Sequence, residues 1–396
     1  MKINLPSELL TVIERLKSHG YKADVVGGAV RDFLRGEAPF DYDITTDATP
    51  DEMKRVFSGM RLIETGIKHG TLTVLVNSMP IEVTTYRIDG EYLDARHPNE
   101  VSFTKDLKED LSRRDFTINA IAYNPDSGIT DIYGGIEDLK AGVIRAVGDP
   151  TLRFTEDALR IMRALRFSST LGFKIEKSTA EAIRKTAHLM TFVSVERILA
   201  EWQKLVTGRG VFEVIEEFCE PLRIVFPNLL SSASVMRRDA YFTADFKLQN
   251  LVHFSHLTGA EYSELMKRMH SDSHTRIFGE RVLSSYMSLE PSSYTSVRHI
   301  ASKLTLDVAE GALMLRYILG IDGDEPLSYL KMLKDSGDAY EISQLKISGD
   351  DLKSLGITGR AVGEWLSRLL YAVIDGVVVN ERAALISFVA KDGKNS

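Results

Sequence analysis

The sequence changes its periodicity once, near Asp149 and Pro150, and this change constrains the fold more than any single motif does. Residues 1 to about 148 contain β-branched runs that alternate with polar residues and are separated by turn residues. From Thr151 onward nearly every segment has helical spacing, interrupted by short glycine-containing turns. We therefore predict an α+β protein, with a small N-terminal α/β head followed by an all-helical remainder. The predicted segments are 1–148, 149–208, 209–326 and 327–396.

The composition excludes several classes of protein. Hydrophobic residues make up 44% of the chain and charged residues 27%, as in a soluble globular protein. The single cysteine, Cys219, permits no internal disulfide, and no apolar run reaches membrane-spanning length. We therefore expect a cytoplasmic protein that does not bind a membrane. The net charge of −7 argues against indiscriminate nucleic-acid binding but leaves room for a local basic groove.

Two carboxylates follow a glycine turn near the start of the chain. Asp41 and Asp43 are two residues apart, and side chains alternate faces along a β-strand, so both point to one side of the predicted strand. Their apolar neighbours Phe40, Tyr42 and Ile44 are expected to pack behind them. Two hard anionic ligands on one strand suit Mg²⁺, which keeps several waters and is completed by substrate phosphates. Asp-x-Asp is also a short and common pattern, so ordinary loop residues are the alternative.

The glycine turn itself, Gly27-Gly28, precedes a helix that is predicted to begin near Ala29. Backbone N–H groups at a helix start, with Arg31 in the first turn, favour a bound phosphate. Glycine is also the usual residue wherever a positive φ is needed, so the pair alone is a weak signal. Its position just before the two aspartates makes a nucleotide-and-metal site the first hypothesis.

A third carboxylate, Glu82, lies on the second arm of a predicted hairpin. Residues 71–76 alternate apolar and polar side chains, 77–80 form a turn, and 81–86 return. If this arm lies beside the strand of the two aspartates, Glu82 reaches the same metals. A solvent-facing glutamate on a two-faced strand is the alternative.

Paired arginines follow a polar loop. Residues 86–98 are rich in charge and punctuated by Gly and Pro, which is typical of an exposed loop or of a mobile lid beside a binding site. Arg113 and Arg114 suit a triphosphate, because each guanidinium offers a planar fork of donors. Asn119 can bond a phosphate or a sugar. Surface salt bridges are the alternative for these side chains.

A helix is predicted over residues 155–167, with Thr155 as its N-cap. At about 100° per residue, its apolar side chains gather on one side and its charged side chains on the other. The apolar residues are Ala158, Ile161, Met162 and Leu165. The charged residues are Glu156, Asp157, Arg160, Arg163 and Arg166. A solvated face with i,i+3 and i,i+4 ion pairs is one interpretation of this pattern.

The other interpretation is a face that reads a nucleotide base. Asp157 can accept from an exocyclic amine, which C and A carry and U lacks. Arg160 can donate to a ring nitrogen or to a carbonyl oxygen. Such a face could select C and A without a nucleic-acid template.

These motifs occur in an order that resembles the class II tRNA nucleotidyltransferases, the CCA-adding enzymes of the polymerase-β-like superfamily, of the bacterial type without an HD domain. The matching pieces are Gly27-Gly28-Ala29-Val30-Arg31-Asp32, Asp41-x-Asp43, Arg113-Arg114-Asp115-Phe116-Thr117-Ile118-Asn119-Ala120, Glu156-Asp157-x-x-Arg160 and Val195-Glu196-Arg197-Ile198-Leu199-Ala200-Glu201. They cover roughly residues 20 to 205, and 347–390 is a weaker match to the family's tRNA-binding tail. The family's serial head, neck, body and tail suit the four predicted segments.

The resemblance implies a role for each matching residue. Asp41 and Asp43 would bind Mg²⁺, with Glu82 as the third catalytic carboxylate. The nucleotide-binding set, with Asn119 added from the pattern above, would be Gly28, Arg31, Arg114, Asn119, Glu156, Asp157, Arg160, Arg163 and Arg166. The residues that would brace the base-reading helix are Glu196, Arg197 and Glu201.

The implied reaction is two-metal phosphoryl transfer, in which the 3′-hydroxyl of tRNA attacks the α-phosphate of CTP or ATP and pyrophosphate leaves. The family's CC-only enzymes lack the loop that is present here at 86–98, so complete CCA addition is favoured. An A-adding tRNA nucleotidyltransferase or a poly(A) polymerase is the alternative within the family. Outside it, the alternatives are a small-molecule nucleotidyltransferase and an RNA-binding protein with an inactive head.

The C-terminal segment and the histidines complete the sequence-based predictions. Lys353 and Arg360 lie in a glycine-containing stretch, and we expect them to contact tRNA phosphates. The histidine pairs 253/256 and 270/274 have metal-compatible spacing without a supporting carboxylate or cysteine pattern. We interpret them as helix-surface histidines. No obligate protein partner is evident.

Overall fold

The computed structural model describes residues 3–89, 101–231 and 235–392. The chain divides into two compact units, one ending at Leu229 and the other beginning at Leu230. This boundary lies inside the predicted segment 209–326, and the division into four segments stays a prediction.

The first unit contains the strands of the described chain. They are β1 (Ala23–Val26), β2 (Asp43–Thr46), β3 (Arg61–Ile63), β4 (Thr71–Val76), β5 (Met79–Thr85), β6 (Arg87–Asp89), β7 (Val101–Phe103), β8 (Ile121–Asn124), β9 (Gly128–Asp131), β10 (Val143–Ile144) and β11 (Lys174–Ile175). Seven of them form one sheet in the order β3-β4-β5-β2-β1-β8-β9. Strands β2 and β5 run parallel, and the other neighbours in this sheet are antiparallel.

The helices of the first unit flank this sheet and then follow it. They are α1 (Ser7–Ser18), α2 (Gly28–Arg35), α3 (Pro50–Val56), α4 (Leu107–Ser112), α5 (Gly135–Ala141), α6 (Pro150–Glu156), α7 (Leu159–Leu171), α8 (Lys177–Thr186), α9 (Val195–Val206) and α10 (Val211–Arg223). The predicted change from strands to helices near residue 150 is confirmed. In the described part of this unit, the short β11 is the only strand after that point, and it pairs with β10.

One face of the sheet is covered by an apolar core. Val25 of β1, Ile44 of β2 and Val83 of β5 are fully buried there, together with Leu9 of α1 and Met53 of α3. A one-residue shift of any of these strands would move its apolar side chains off the core. The core therefore fixes the register of the central strands. The same register determines the positions of the polar residues on the other face of these strands.

The predicted hairpin is confirmed as β4 and β5, which pair antiparallel along their length. Its turn is shorter than predicted, since β5 already begins at Met79. Asn77 and Ser78 adopt φ angles of 49° and 70°. Positive φ at both central residues is the geometry of a tight two-residue hairpin turn.

The helix predicted over 155–167 is two helices, α6 and α7. Asp149, and not Thr155, caps α6, since its carboxylate accepts from two backbone N–H groups of the first turn. Asp157 adopts an extended conformation with φ −138° and ψ 103°, and its Oδ1 accepts the N–H of Leu159 at 3.0 Å. A side-chain bond of this kind competes with helix continuation, so Asp157 lies at a break rather than in a first turn.

The apolar stripe predicted for this region is confirmed, because its members are fully buried: Ala158, Ile161, Met162 and Leu165.

The second unit is helical throughout its described residues. Its helices are α11 (Arg238–Thr243), α12 (Phe246–Val252), α13 (Gly259–Arg268), α14 (Ser273–Ser285), α15 (Tyr294–Lys303), α16 (Leu306–Ile318), α17 (Glu325–Ser336), α18 (Gly349–Ser354), α19 (Arg360–Ile374) and α20 (Arg382–Asp392). Of the helices in the described ranges, none is both long and apolar enough to cross a membrane.

One histidine interpretation is wrong. His253 is only 1% exposed, so it is a core residue rather than a helix-surface residue. It follows the last residue of α12, and its ring lies against the buried ring of Tyr241, whose hydroxyl is 2.9 Å from His253 Nε2. This polar contact satisfies an imidazole nitrogen in the interior.

Candidate active site

The turn between β1 and α2 brings one aspartate and one arginine close to the backbone. Gly27 has φ 73°, which favours glycine. A Cβ at this position would lie 3.3 Å from Nη1 of Arg114 and 3.6 Å from Oδ2 of Asp43. The absence of a side chain at Gly27 therefore leaves room for a carboxylate and a guanidinium beside the start of a helix.

The second glycine of the turn is bordered by the other two predicted site residues. A Cβ at Gly28 would lie 3.6 Å from Nη2 of Arg31 and 3.9 Å from Oδ1 of Asp41. The structure thus brings together two aspartates and two arginines around the Gly27-Gly28 turn, as the sequence pattern predicted.

The two aspartates do not lie on one strand. Strand β2 begins at Asp43, and Asp41 is an exposed residue before it. Phe40 is 99% exposed, so the prediction that it packs behind the aspartates is wrong. Tyr42 and Ile44 do pack against the core. The reason is that strand pairing with β1 and β5 starts only at Asp43, which leaves the preceding residues free of the alternation rule.

Glu82 lies where the sequence predicted. Strands β2 and β5 pair in parallel with Asp43 directly opposite Glu82, and the side chain of Glu82 is exposed. Burial raises the pKa of Asp43 to about 6, with a further upward contribution from the charge of Asp41 and a smaller one from Glu82. Arg114 opposes this shift.

These carboxylates fit a divalent cation. Within the described ranges no three carboxylate, histidine or cysteine side chains are close enough to hold a metal ion by themselves. Asp41 and Asp43 could hold an ion jointly with water and nucleotide phosphates, as is usual for Mg²⁺. Burial first, and the charge of Asp41 second, raise the pKa of Asp43, and a bound cation would stabilise the charged form of this carboxylate.

Arg31 and Asn119 are in direct contact. Arg31 Nη1 donates to Asn119 Oδ1 at 3.0 Å, and its Nε donates to Asp32 at 2.8 Å. The amide nitrogen of Asn119 donates in turn to Asp115 Oδ1 at 3.2 Å. The two predicted nucleotide ligands therefore belong to one hydrogen-bonded group beside the glycine turn.

Asp110 holds the paired arginines and was not predicted as a site residue. It is fully buried, and its carboxylate accepts from Arg113 Nη2 at 2.6 Å and from Arg114 Nη2 at 3.4 Å. Thr45 of β2 donates to the same carboxylate. Burial raises the pKa of Asp110, but the two guanidinium groups lower it by more than burial raises it, so the net shift is downward. Its i,i+3 and i,i+4 spacing from two arginines was the signal in the sequence.

Asp157 and Arg160 have different partners. Asp157 Oδ2 is 3.1 Å from Arg197 Nη2 on α9. Arg160 is only 8% exposed, and its Nη1 donates to Glu156 at 2.7 Å while its Nη2 donates to the carbonyl of Arg113 at 2.9 Å. The predicted base-reading group is therefore assembled around α6, the break and α7, with its donors already bound to protein acceptors.

Two further arginines of α7 are held by carboxylates from other elements. Arg163 Nη2 is 2.6 Å from Asp115 Oδ2, and Arg166 Nε donates to Glu201 on α9 at 2.8 Å. Burial raises the pKa of Asp115, but Arg163 and Asn119 outweigh it and lower that pKa to about 2. Arg197 and Glu201 of α9 therefore contact the predicted base-reading region, Arg197 through Asp157 and Glu201 through Arg166.

The remaining predicted site residues lie apart or outside the described chain. Lys353 and Arg360 belong to the second unit, where each is exposed and paired with a neighbouring acid, Asp350 at 2.7 Å and Glu364 at 3.1 Å. The predicted lid at 86–98 falls largely on 90–100, which lies outside the described residues, so it stays a prediction.

Comparison with family models matches two parts of the chain. Residues 23–145 match the Poly A polymerase head domain. Residues 172–230 match the family described as a probable RNA and SrmB-binding site of polymerase A.

Full-length relatives carry one common name. The CCA-adding enzyme of Ligilactobacillus salivarius is 33% identical over 410 residues, covering 98% of both chains. The CCA-adding enzyme of Streptococcus agalactiae is 34% identical over 404 residues, again covering 98% of both. Among solved structures, the Bacillus stearothermophilus CCA-adding enzyme in complex with CTP has a TM-score of 0.82 at 30% identity, covering 98% of this chain and 97% of that one.

Proposed function

The chain belongs to the family of CCA-adding enzymes, and from this premise we propose how its residues carry out template-independent addition of CCA to the 3′ end of tRNA from CTP and ATP. The observation that carries the proposal is the glycine turn bordered by Asp41, Asp43, Arg31 and Arg114 within a chain that matches these enzymes along its whole length.

Members of the family are nucleotidyltransferases that use divalent metals, and we propose that Mg²⁺ is the metal here. Asp41 and Asp43 hold it, with Glu82 beside them on the neighbouring strand. When bound, two such ions would supply activation of the 3′-hydroxyl of tRNA and stabilisation of the leaving pyrophosphate. The fixed register of β2 and β5 keeps Asp43 and Glu82 in place, so these two side chains need little reorganisation when the nucleotide arrives.

The nucleotide triphosphate is held by the turn and its arginines. The N–H groups at the start of α2 point toward the glycine turn and favour an anion. Arg31 and Arg114 border the same turn, and Asp110 orients Arg114 by accepting a hydrogen bond from its guanidinium. Asn119 fixes Arg31 and offers its amide to the sugar or a phosphate.

The base is selected at the break between α6 and α7. Asp157 accepts from the exocyclic amine of C or A, and Arg160 donates to the ring, with Glu156, Arg163 and Arg166 supporting them. Since Asp157 is paired with Arg197 and Arg160 with Glu156, this step requires those pairs to share their donors and acceptors with the base. Lys353 and Arg360 contact tRNA phosphates in the second unit, where they exchange their acidic partners for phosphate.

End extension of a tRNA transcript that lacks its 3′ CCA tests the proposal. With Mg²⁺ and both CTP and ATP, we expect three added nucleotides and no growth beyond them. A transcript ending in CC that gains a single A, while the shorter transcript stays inert, would identify an A-adding enzyme. Extension into a long A tract would identify a poly(A) polymerase, and binding without any extension would identify an RNA-binding protein with an inactive head.

The same experiment also tests the metal. Replacement of Mg²⁺ by Ca²⁺ or by EDTA should abolish extension if the two aspartates hold a catalytic ion. A cytoplasmic location is proposed from the reaction itself, because tRNA is its substrate.

A further inference from the structure

One aromatic ring contacts arginines from two different elements of the site. Phe167 of α7 is 5% exposed. The guanidinium carbon of Arg166 lies 3.5 Å from its ring centre, that of Arg31 5.2 Å and that of Arg163 5.4 Å. A guanidinium within about 6 Å of an aromatic centre is attracted by the negative face of the ring. Phe167 therefore attracts three cations at once.

These three arginines lie in different parts of the proposed binding site. Arg31 comes from α2 beside the glycine turn, where the triphosphate is proposed to bind. Arg163 and Arg166 extend from the helix that follows the base-reading break. Phe167 is the side chain that touches all three, so it connects the phosphate side of the site with the base side.

The ring is itself held in place. Phe116 is fully buried and packs edge-on against Phe167, with ring centres 5.8 Å apart and an interplanar angle of 80°. A buried ring in an edge-to-face contact has a defined orientation. Phe167 can therefore set the direction of a guanidinium rather than follow it.

We propose that Phe167 is a positioning residue, whose ring holds the Arg31 guanidinium toward the triphosphate of the incoming nucleotide. This inference rests on the proposed function of the site. Asp32 accepts from Arg31 Nε at 2.8 Å, and Asn119 accepts from Arg31 Nη1 at 3.0 Å. The ring of Phe167 attracts the same guanidinium from a third side chain, which adds a restraint that these two hydrogen bonds do not supply. The triphosphate is common to CTP and ATP, so the effect should be the same for both nucleotides.

The test compares Phe167→Leu with Phe167→Tyr and with Phe57→Leu. The first removes the ring but keeps an apolar side chain, the second keeps the ring, and the third removes a ring from the apolar core of the sheet. Phe57 is fully buried in that core, and among the described residues no cation lies over it, which makes it a matched control for loss of core packing. Affinity for Mg-CTP and Mg-ATP is measured by calorimetry on the full chain, and KM and kcat by extension of the tRNA transcripts.

We expect Phe167→Leu to weaken both nucleotides by about three- to tenfold in Kd and KM, with a smaller change in kcat. Phe167→Tyr should restore both values. Loss of ATP affinity alone would overturn the proposal, because it would indicate stacking with the base. An equal loss in Phe57→Leu would also overturn it, because the effect would then come from core packing.

A double-mutant cycle with Arg31→Lys keeps the proposal open to refutation if the leucine variant is poorly folded. Lysine retains the charge but not the planar group. The nucleotide affinities of Phe167→Tyr and Phe167→Met should therefore differ much less in the Arg31→Lys background than in the wild-type background. Equal differences in the two backgrounds would show that Phe167 acts independently of Arg31. The calorimetric readout does not require catalysis, so failure of nucleotide addition would overturn the proposed function while nucleotide affinity still decides the role of Phe167.

Discussion

Asp43 and Glu82 lie side by side in register on the parallel strands β2 and β5. The same two strands carry Ile44 and Val83 on their opposite face, and both of these side chains are fully buried in the core. The apolar core thus determines where these two carboxylates lie. The site is built by the same register that stabilises the head.

Substitution Asp43→Asn should abolish nucleotide addition while leaving the fold intact. Asp43 is the half-buried carboxylate whose pKa is raised by burial and by Asp41, so a neutral amide there is tolerated by the protein but holds a cation poorly. We expect extension of the tRNA transcript to fall about a hundredfold or more. The matched control is Asp51→Asn, an exposed aspartate in the first turn of α3. Extension by Asp43→Asn at the rate of the control would contradict the assignment of Asp43 as a metal ligand.

Asp110→Asn should destabilise the head and weaken nucleotide binding together. The carboxylate is fully buried and accepts from Arg113, Arg114 and Thr45, so the amide leaves two guanidinium groups without their counter-ion. We expect the free energy of unfolding to fall by about 2–4 kcal/mol and KM for CTP to rise. Denaturant unfolding of the full chain measures the first and transcript extension the second.

The control for Asp110 is Asp126→Asn, because Asp126 forms an exposed pair with Lys17. Exposed pairs contribute little, so its free energy of unfolding should change by about 0.5 kcal/mol or less. If both substitutions had equally small effects, the buried carboxylate would not be what orders the arginines.

Asp157→Asn should relax the choice of nucleotide more than it slows the reaction. The amide can donate to the base as well as accept, so it no longer requires an exocyclic amine. We expect incorporation of UTP to rise relative to CTP by about tenfold. Competition between CTP and UTP on a single transcript measures this ratio. An unchanged ratio with lower overall activity would assign Asp157 to packing with Arg197.

The sequence predicted the strands better than the breaks between helices. Alternation places Glu82 on the correct face, because every second residue of β5 is buried against the core. Helical periodicity runs through 155–167 without interruption, so it could not predict the break at Asp157. The break depends on one hydrogen bond from the N–H of Leu159 to the side chain of Asp157. Strand alternation was expected to place Phe40 behind the aspartates, but Phe40 is exposed because it precedes the first paired residue of β2.

Residues that act through others were also missed for a physical reason. Asp110 lies in an acidic stretch that is typical of a solvated helix, and its burial depends on the approach of β2. Phe167 looks like the end of an apolar stripe, and its contact with Arg31 joins parts of the chain that are far apart in sequence. Contacts of this range are not contained in local periodicity.

His253 should make the stability of the chain fall as the pH is lowered from 6.5. Burial lowers the pKa of His253 from 6.5 to about 3, so the folded protein keeps it neutral while the unfolded chain binds a proton. The unfolded state therefore binds more protons between these values, and the free energy of unfolding decreases by up to about 1.4 kcal/mol per pH unit. His253→Gln keeps a polar partner for Tyr241 and should remove this slope. Calorimetry of both proteins between pH 7 and 5 measures it, and parallel curves would contradict the prediction.

Gly363→Ala tests whether α19 contacts tRNA through its backbone. A Cβ at Gly363 would have no neighbour within 4 Å, and alanine is favoured over glycine inside a helix. The free energy of unfolding should therefore rise by about 0.5–1 kcal/mol. If RNA approaches the helix at this point, the added methyl group should at the same time raise KM for tRNA and leave KM for CTP unchanged. The control is Ser367→Ala, one turn further along the same helix, which removes only a hydroxyl that donates to the Gly363 carbonyl. A more stable Gly363→Ala protein with wild-type KM for tRNA would place the tRNA contact away from this face of α19. That result would also contradict the proposed role of the neighbouring Arg360.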